Sequence, residues 1–262
     1  MRADVERAAG AALAAAAVTP PAVSAAATRP AAPVPPSGNG DHRAAMRQTI
    51  AAAMSRSKRE IPHYYLATTI DLGAATAWLG ERNAQLPPAE RLVPAALLLA
   101  ATARAARAVP ALNGHWVDGS AQPAAAVHLG VIVSLRGGGL VAPVIHDAGE
   151  AGPAALMATL GDLVARARGG GLRASELAGA TITVSNLGER GAEQVFGVIH
   201  PPQLALVGFG AIRDRPWAVG GDVVVRPLVS ATLSADHRAS DGPQGSRLLA
   251  EIDRLLQRPE EL

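Results

Sequence analysis

The sequence predicts an α/β fold in which helices alternate with strands. Three observations predict it. Segments whose apolar residues recur at helical spacing alternate along the chain with about six runs rich in Val, Ile, Thr or aromatic residues. The alternation lacks the short, strict β-α-β period of a doubly wound sheet. No internal repeat is visible. With 262 residues, the chain can bury a substantial core. Its apolar fraction is 49% while aromatics make up only 3%, so Leu, Val, Ile and Ala must build that core.

Residues 1 to about 41 stand apart in composition. "MRADVERAAGAALAAAA" reads as a short helix, and "VTPPAVSAAATRPAAPVPPSGNGD" as an extended, semi-rigid Ala/Pro linker. From His42 the composition becomes globular. "RAAMRQTIAAAMSRSKREI" places Met46, Ile50 and Met54 at steps of four, an amphipathic helix that Pro62 ends. "HYYLATTIDL" follows as a strand and "LGAATAWLGERNAQL" as a helix. "AERLVPAALLLAATARAARAV" predicts a mostly buried helix from Ala89, with Arg104 and Arg107 near its C-terminal, negative end.

"ALNGHWVDGSAQP" is rich in turn formers. "AVHLGVIVSL" reads as one strand, "RGGG" as a tight turn, and "LVAPVIHDA" as an edge strand because of Pro143. "AGPAALMATLGDLVARARGG" predicts a helix stopped by glycine, and "GATITVSNLG" a strand running into a turn. "PPQLALVGFGAIRDRP" and "DVVVRPLVSATLSADH" read as strands. The last helix, "GPQGSRLLAEIDRLLQRPEEL", carries Leu248, Leu249, Ile252, Leu255 and Leu256 on one face.

Several function classes are disfavoured by composition. The net charge is +2 and no basic run is present, so the footprint of a nucleic-acid binder is missing. There is no Cys, which removes disulfides, thiolate catalysis by the protein and Cys-ligated metal. No set of His, Asp and Glu has metal-site spacing. No apolar run approaches the ~20 residues of a membrane span. The acidic and basic residues of "MRADVERA" argue against a signal peptide. "RGGGL", "RARGGGLR" and "GFGAI" match neither a P-loop nor a dinucleotide fingerprint and read as turns.

Two stretches carry candidate chemistry. "LSADHRASDG" gathers Asp236, His237, Arg238 and Asp241 in six positions directly after an apolar strand, in a chain with only 18% charged residues. A His at a strand end, before a Gly/Pro turn and a helix, is well placed for catalysis. The other reading of the same residues is a surface His with a helix N-cap. His42, His63, His115, His128, His146 and His200 have no comparable partners in sequence. "TITVSNLG" puts Ser185 and Asn186 at a strand end, where a hydroxyl or amide can donate to a developing oxyanion; a plain turn is the alternative.

Taken together, "SKREIPHYYL", "GLVAPVIHDA", "TITVSNLG" followed by "VIHPPQLALVGFG", and "LSADHRASDG", in that order, resemble the catalytic domain of the acyltransferase component of 2-oxo acid dehydrogenase complexes, the dihydrolipoamide acyltransferases. The similarity runs over nearly all of residues 42–262. Two features depart from it. His200 stands where the family more often has Asn, and Ala239 and Ser240 where it often has larger aliphatics. Residues 1–9, "MRADVERAA", look like the last turn of the family's peripheral subunit-binding domain, and 10–41 like its Ala/Pro linker. The family's lipoyl domain is not in this sequence, so the expectation is that the chain starts inside a longer architecture.

The resemblance implies a chloramphenicol-acetyltransferase-like α/β fold, a mixed β-sheet flanked by helices, and transfer of an acyl group, acetyl first among the candidates, between dihydrolipoamide and coenzyme A. His237 would take the thiol proton, Ser185 would stabilise the oxyanion, and Asp241 would fix the loop, with Arg47 as a candidate partner. It implies a homotrimer with His237 from one chain meeting Ser185 of its neighbour, and assembly of trimers into a larger core. The expected partners are the 2-oxo acid dehydrogenase (decarboxylase) and dihydrolipoamide dehydrogenase components; the expected location is the cytoplasm. Two other functions fit the fold: a free-standing acetyltransferase using acetyl-CoA, and a non-catalytic core protein. The linker speaks against the first, and the intact His237, Asp241 and Ser185 against the second.

Overall fold

The computed structural model describes residues 39–134, 139–169, 171–188 and 191–262. The expected subunit-binding remnant, the linker up to residue 38 and most of the RGGG turn lie outside the described residues, as does the packing of Met46. The elements run α1 (Asn39–Glu60), β1 (His63–Asp71), α2 (Gly73–Ala84), α3 (Pro94–Ala108), β2 (Gly114–Val117), β3 (Ser120–Pro123), β4 (Leu129–Val131), β5 (Val133–Ser134), β6 (Leu140–Val141) and β7 (Val144–Ile145). They continue as α4 (Pro153–Gly169), β8 (Ile182–Asn186), β9 (Ala205–Phe209), β10 (Arg213–Val219), β11 (Asp222–Asp236) and α5 (Gly242–Gln257).

The main sheet has the order β1-β11-β9-β8-β4-β7, with β10 pairing to the far half of β11. β8 runs parallel to β9 and β4, and the remaining pairs are antiparallel. This is the mixed sheet the resemblance implies; β7 takes an edge position, but the single strand expected over "LVAPVIHDA" is broken at Ala142–Pro143 into β6, which pairs only with β5, and β7.

Period-two alternation gives the sheet two unlike faces. Ile182 and Val184, Ala205, Val207 and Phe209, and Val229, Ala231, Leu233 and Ala235 belong to the core that α3 and α5 cover. All five apolar residues read on the face of α5 are buried. Each fully buried Leu or Ile contributes about 1.5–3 kcal/mol of hydrophobic stabilisation. Gly245 lets α5 come close: a Cβ there would lie 2.7 Å from Leu66 Cδ1 and 2.9 Å from the Tyr64 hydroxyl.

The other face is polar. It carries Thr183 and Ser185 on β8 and Thr232, Ser234 and Asp236 on β11, all buried. The irregular segment 191–204 lies across it. Thr183 Oγ1 donates to Gln203 Oε1 at 2.7 Å, and Ser57 Oγ of α1 donates to the Ile199 carbonyl at 2.6 Å. Only glycine admits so close a cover: a Cβ on Gly208 would sit 2.2 Å from the Val195 carbonyl oxygen.

Four further local expectations are corrected. α3 starts at Pro94 rather than Ala89, because proline suits the first helical position, and Pro88–Glu90 forms only a 3₁₀ turn. "ALNGHWVDGSAQP" contains the hairpin β2–β3 rather than turns alone. "AVHLGVIVSL" breaks into β4 and β5 around Ile132, whose N–H goes to the Val184 carbonyl at 2.9 Å. The stripe on α1 is not packed away within the chain: Ile50 is 39% exposed.

Candidate functional site

β11 delivers His237. The strand ends at buried Asp236, and His237 opens the following turn, where it is exposed. Its backbone N–H donates to the Pro62 carbonyl at 3.0 Å, tying the turn to the residue before β1. Its ring meets Tyr64 edge-on, with centroids 5.1 Å apart. The imidazole is thus open to an incoming molecule while its backbone is held.

The charges on either side of His237 hold the turn. Asp236 is fully buried, and Arg238 grips its carboxylate through the guanidinium, Nε to Oδ1 at 2.9 Å and Nη2 to Oδ2 at 2.7 Å, and through its backbone N–H to Oδ1 at 2.9 Å. A buried carboxylate without such a pair would carry a desolvation cost of several kcal/mol. The fork geometry also fixes direction. Arg238 then lies over the Trp116 ring, 4.3 Å from its centroid. Trp116 sits on β2, whose N–H to the Pro202 carbonyl at 2.7 Å anchors the hairpin to the cover of the polar face. Carboxylate, guanidinium and indole therefore form one stack that anchors the residues on either side of His237.

Asp241 is the N-cap of α5. Its Oδ1 accepts the Gln244 N–H at 3.1 Å, and Gln244 Oε1 accepts the Asp241 N–H at 3.2 Å, a closed capping box. The Tyr64 hydroxyl donates to the Asp241 carbonyl at 2.8 Å and lies 3.0 Å from Ser240 Oγ. Among the described residues, Asp241 forms no ion pair with Arg47 within the chain; its carboxylate is occupied by the helix end.

Ser185 occupies the penultimate position of β8, buried, on the polar face. Its hydroxyl makes no hydrogen bond among the described residues. It stands beside Gly208 of β9, which stands beside Thr232 of β11. Asp236 is four residues further along β11 and two strands across. At about 3.3 Å per residue and 4.8 Å per strand, their Cα atoms are on the order of 16 Å apart. One chain therefore does not bring Ser185 and His237 together: they mark opposite ends of its sheet.

A cavity of about 380 Å³ is lined by, among others, Ile50, Met54, Ile132, Val141 and His200. Ile132 follows β4, which pairs with β8, and its N–H donates to the carbonyl of Val184, the residue before Ser185. The size is that of a small-molecule site and the lining is mostly apolar. Burial pushes the His200 imidazole below its ordinary pKa. It is thus a neutral group in an apolar wall at pH 7.

His63 is structural. Its Nε2 accepts the Ile199 N–H at 3.1 Å and its Nδ1 donates to the Ile61 carbonyl at 2.9 Å, so both ring nitrogens are used. Desolvation lowers its pKa in keeping with that neutral form. Trp116 and Tyr64 are the site residues that the sequence did not disclose. Neither lies near His237 in sequence, and only the pairing of β1 with β11 and the anchoring of β2 bring them there.

The chain matches the family model described as 2-oxoacid dehydrogenases acyltransferase (catalytic domain) over residues 39–262. It is 33% identical over 219 residues to the dihydrolipoyllysine-residue acetyltransferase component of the pyruvate dehydrogenase complex of Rhizobium meliloti (strain 1021), covering 82% of this chain and 49% of that one. The chain thus spans about half the length of the curated relatives it matches. Among solved structures, it superposes with a TM-score of 0.78 on the dihydrolipoamide acetyltransferase of Azotobacter vinelandii, at 25% identity over 88% of this chain and 99% of that one. In that protein the roles of a serine, a histidine and an asparagine in the catalytic mechanism have been investigated. The cubic core of the pyruvate dehydrogenase multienzyme complex superposes with the same TM-score, identity and coverage. Chloramphenicol acetyltransferase shares the fold at a TM-score of 0.50 and 13% identity, covering 78% of this chain and 94% of that one. The expected α/β architecture is therefore the observed one, and the chain belongs to the 2-oxoacid dehydrogenase acyltransferase family, whose catalytic domain it carries.

Proposed function

We propose that this chain transfers an acyl group, acetyl first among the candidates, between dihydrolipoamide and coenzyme A, as the core acyltransferase of a 2-oxo acid dehydrogenase complex of the cytoplasm. One observation carries the reading. Ser185, His237 and Asp241 follow one another at the spacing of the serine, histidine and asparagine studied in the Azotobacter enzyme, with Asp in place of Asn. Both substrates are thiols or thioesters, so the transfer is nearly balanced and the barrier lies in activating a thiol. A thiol with a pKa of ~8.5 is mostly protonated at neutral pH. His237, exposed on a held turn, takes that proton as general base. The thiolate attacks the thioester carbonyl, and Ser185 donates to the tetrahedral oxyanion. The intermediate then expels the other sulfur, which recovers the proton from His237. Asp241 orients the loop through the helix cap and takes no proton.

The separation of Ser185 from His237 fits a site shared by two chains, and a homotrimer supplies such sites around a threefold axis. Assembly of trimers into a cubic core, and docking of the decarboxylase and dihydrolipoamide dehydrogenase components, extend the same reading from the relatives to this chain. The test is direct: incubate the purified chain with acetyl-CoA and free dihydrolipoamide and follow S-acetyl-dihydrolipoamide by chromatography. Turnover well above the uncatalysed exchange supports the reading. A folded oligomer that shows none overturns it.

Trp116 gives a sharper expectation. Trp116→Ala should lower kcat about tenfold or more by letting Arg238 and the His237 turn shift, because small misplacements of a reacting group are costly. KM should change little, since Trp116 touches no substrate in this scheme. Trp116→Phe, which keeps a ring under the guanidinium, should restore most of the rate. Equal loss in both variants, or loss confined to KM, would show that the stack does not position His237.

A further inference from the structure

The segment 191–204 crosses the polar face of the sheet as a strap without helix or strand of its own. Among the described residues, five polar side chains from elsewhere in the chain hold it. Arg215 pairs with Glu193. Thr232 donates to the Val195 carbonyl, next to Gly208 and so in the row that contains Ser185. Thr183 holds Gln203. Between these points the Ile199 peptide is gripped on both sides. Ser57 Oγ donates to its carbonyl at 2.6 Å, and His63 Nε2 accepts its N–H at 3.1 Å.

His63 also touches the other half of the chemistry. It opens β1 opposite Asp236, the residue before His237. One residue thus joins the strap beside Ser185 to the strand end that delivers His237. Of the five side chains, His63 is the one that changes charge between about pH 5 and 8; Arg215 holds the Glu193 carboxylate below its ordinary range. The bond to Ile199 exists only while the ring is neutral. A proton on Nε2 would set one N–H against another, and Nδ1 is already committed to the Ile61 carbonyl.

The surroundings of the ring do not stabilise that proton. Burial is the strongest influence and pushes the imidazole below its ordinary pKa of 6.5. Lys58 of α1 opposes a second cation, and it bonds the Tyr65 hydroxyl, whose ring stacks on His63 at 5.9 Å. Asp236 of β11 favours the proton, but its carboxylate is engaged by Arg238. On the strap, His200 is itself kept neutral by burial.

We propose that His63 is a positioning residue for acyl transfer: its neutral ring latches segment 191–204 across the Ser185 face, and a proton on that ring releases the strap. The proposal rests on the reading of Ser185 as the oxyanion donor. His63 touches no substrate and acts through the Ile199 peptide. A released strap no longer fixes the wall at Gly208, and a displacement of about 1 Å at a reacting group can cost as much as ~10²-fold. Linkage gives the same sign for stability. The contribution of His63 is present above pH 6.5 and is lost as the pH falls through its lowered folded pKa.

Glutamine reaches as far as Nε2, accepts an N–H through Oε1 and does not titrate. His63→Gln should therefore stay within about threefold of the wild-type kcat at pH ~8, whereas His63→Ala should lose about tenfold there with KM little changed. Below pH ~6 the wild-type rate should fall more steeply than the roughly tenfold per pH unit of one essential base, and His63→Gln should return to that slope. Equal losses in the two variants, or the same acid slope in the wild type and His63→Gln, overturn the proposal. Hydrogen exchange on the unmodified chain tests it even if a variant fails to fold. With the intrinsic rate divided out, the Ile199 amide, read from peptides spanning residues 195–200, should lose about tenfold in protection between pH ~7 and ~5, while α5 keeps its own. Protection at Ile199 that holds over that range overturns the latch. A wild-type chain that transfers no acyl group overturns the proposed reaction instead, and the exchange measurement then judges the latch by itself.

Discussion

With His237 replaced by Ala, acyl transfer should fall at least about 10²-fold, the smallest loss expected for a general base that acts in the rate-limiting step. The chain should fold and assemble as before. The Ala N–H keeps its bond to the Pro62 carbonyl, Asp236 keeps Arg238, and the imidazole contributes only an edgewise contact with Tyr64. An exposed residue with so few partners should alter stability by no more than about 0.5 kcal/mol. Initial rates with acetyl-CoA and dihydrolipoamide, alongside sedimentation and circular dichroism, separate the two effects. A variant that retains more than a tenth of the wild-type rate removes His237 from the role of base. A variant that loses activity only because it dissociates or unfolds leaves the role undecided by that substitution, and His237→Gln, which keeps bulk and polarity without a comparable base, then decides it.

The residues of the site differ in how plainly the sequence shows them. His237 and Asp241 are legible because both belong to one stretch, and the strand, turn and helix around them are each set by local pattern: apolar alternation, then Asp241-Gly242-Pro243, then the stripe of α5. Ser185 is legible as a strand end, but its environment is not. What shapes that environment is the segment 191–204 pressed onto Gly208, and no local pattern says that an irregular segment will lie across a sheet face. Trp116 is illegible for a related reason. It stands in a turn-rich run that becomes a hairpin through the pairing of Trp116 with Ala121 and the bond of its N–H to the Pro202 carbonyl. The Ala89 start assigned to α3 failed because the apolar period runs on before Pro94, and the period alone does not register that proline fits only the first turn. The β10–β11 ribbon was read correctly as strand, yet its sequence gave no hint that Val223 and Val225 would stay exposed, since β-branched runs normally mean burial.

The second large effect expected is a gain. Ser185→Ala should, like His237→Ala, leave a low rate, because removing one oxyanion donor typically costs ~10²–10³ in kcat. The two variants are inactive for different reasons. Inside one chain their mutated positions are too far apart to share chemistry, on the order of 16 Å between the Cα atoms of Ser185 and Asp236. When they are denatured together and refolded in equal amounts, some contacts will join the intact His237 of a Ser185→Ala chain to the intact Ser185 of a His237→Ala chain. With random assembly into cyclic trimers, about a quarter of all sites are of this restored kind. Activity should therefore rise from about 1% or less of the wild type to about 25%, a gain of at least roughly twentyfold over either parent. A chain carrying both substitutions, refolded with wild type, supplies the control: it dilutes active sites and restores none. If the site were built within one chain, every chain in the mixture would lack one of its two groups, and no ratio of the parents would recover activity. A mixture that forms rings of wild-type mass yet stays as slow as its parents would sink the shared-site model and leave a site built within one chain.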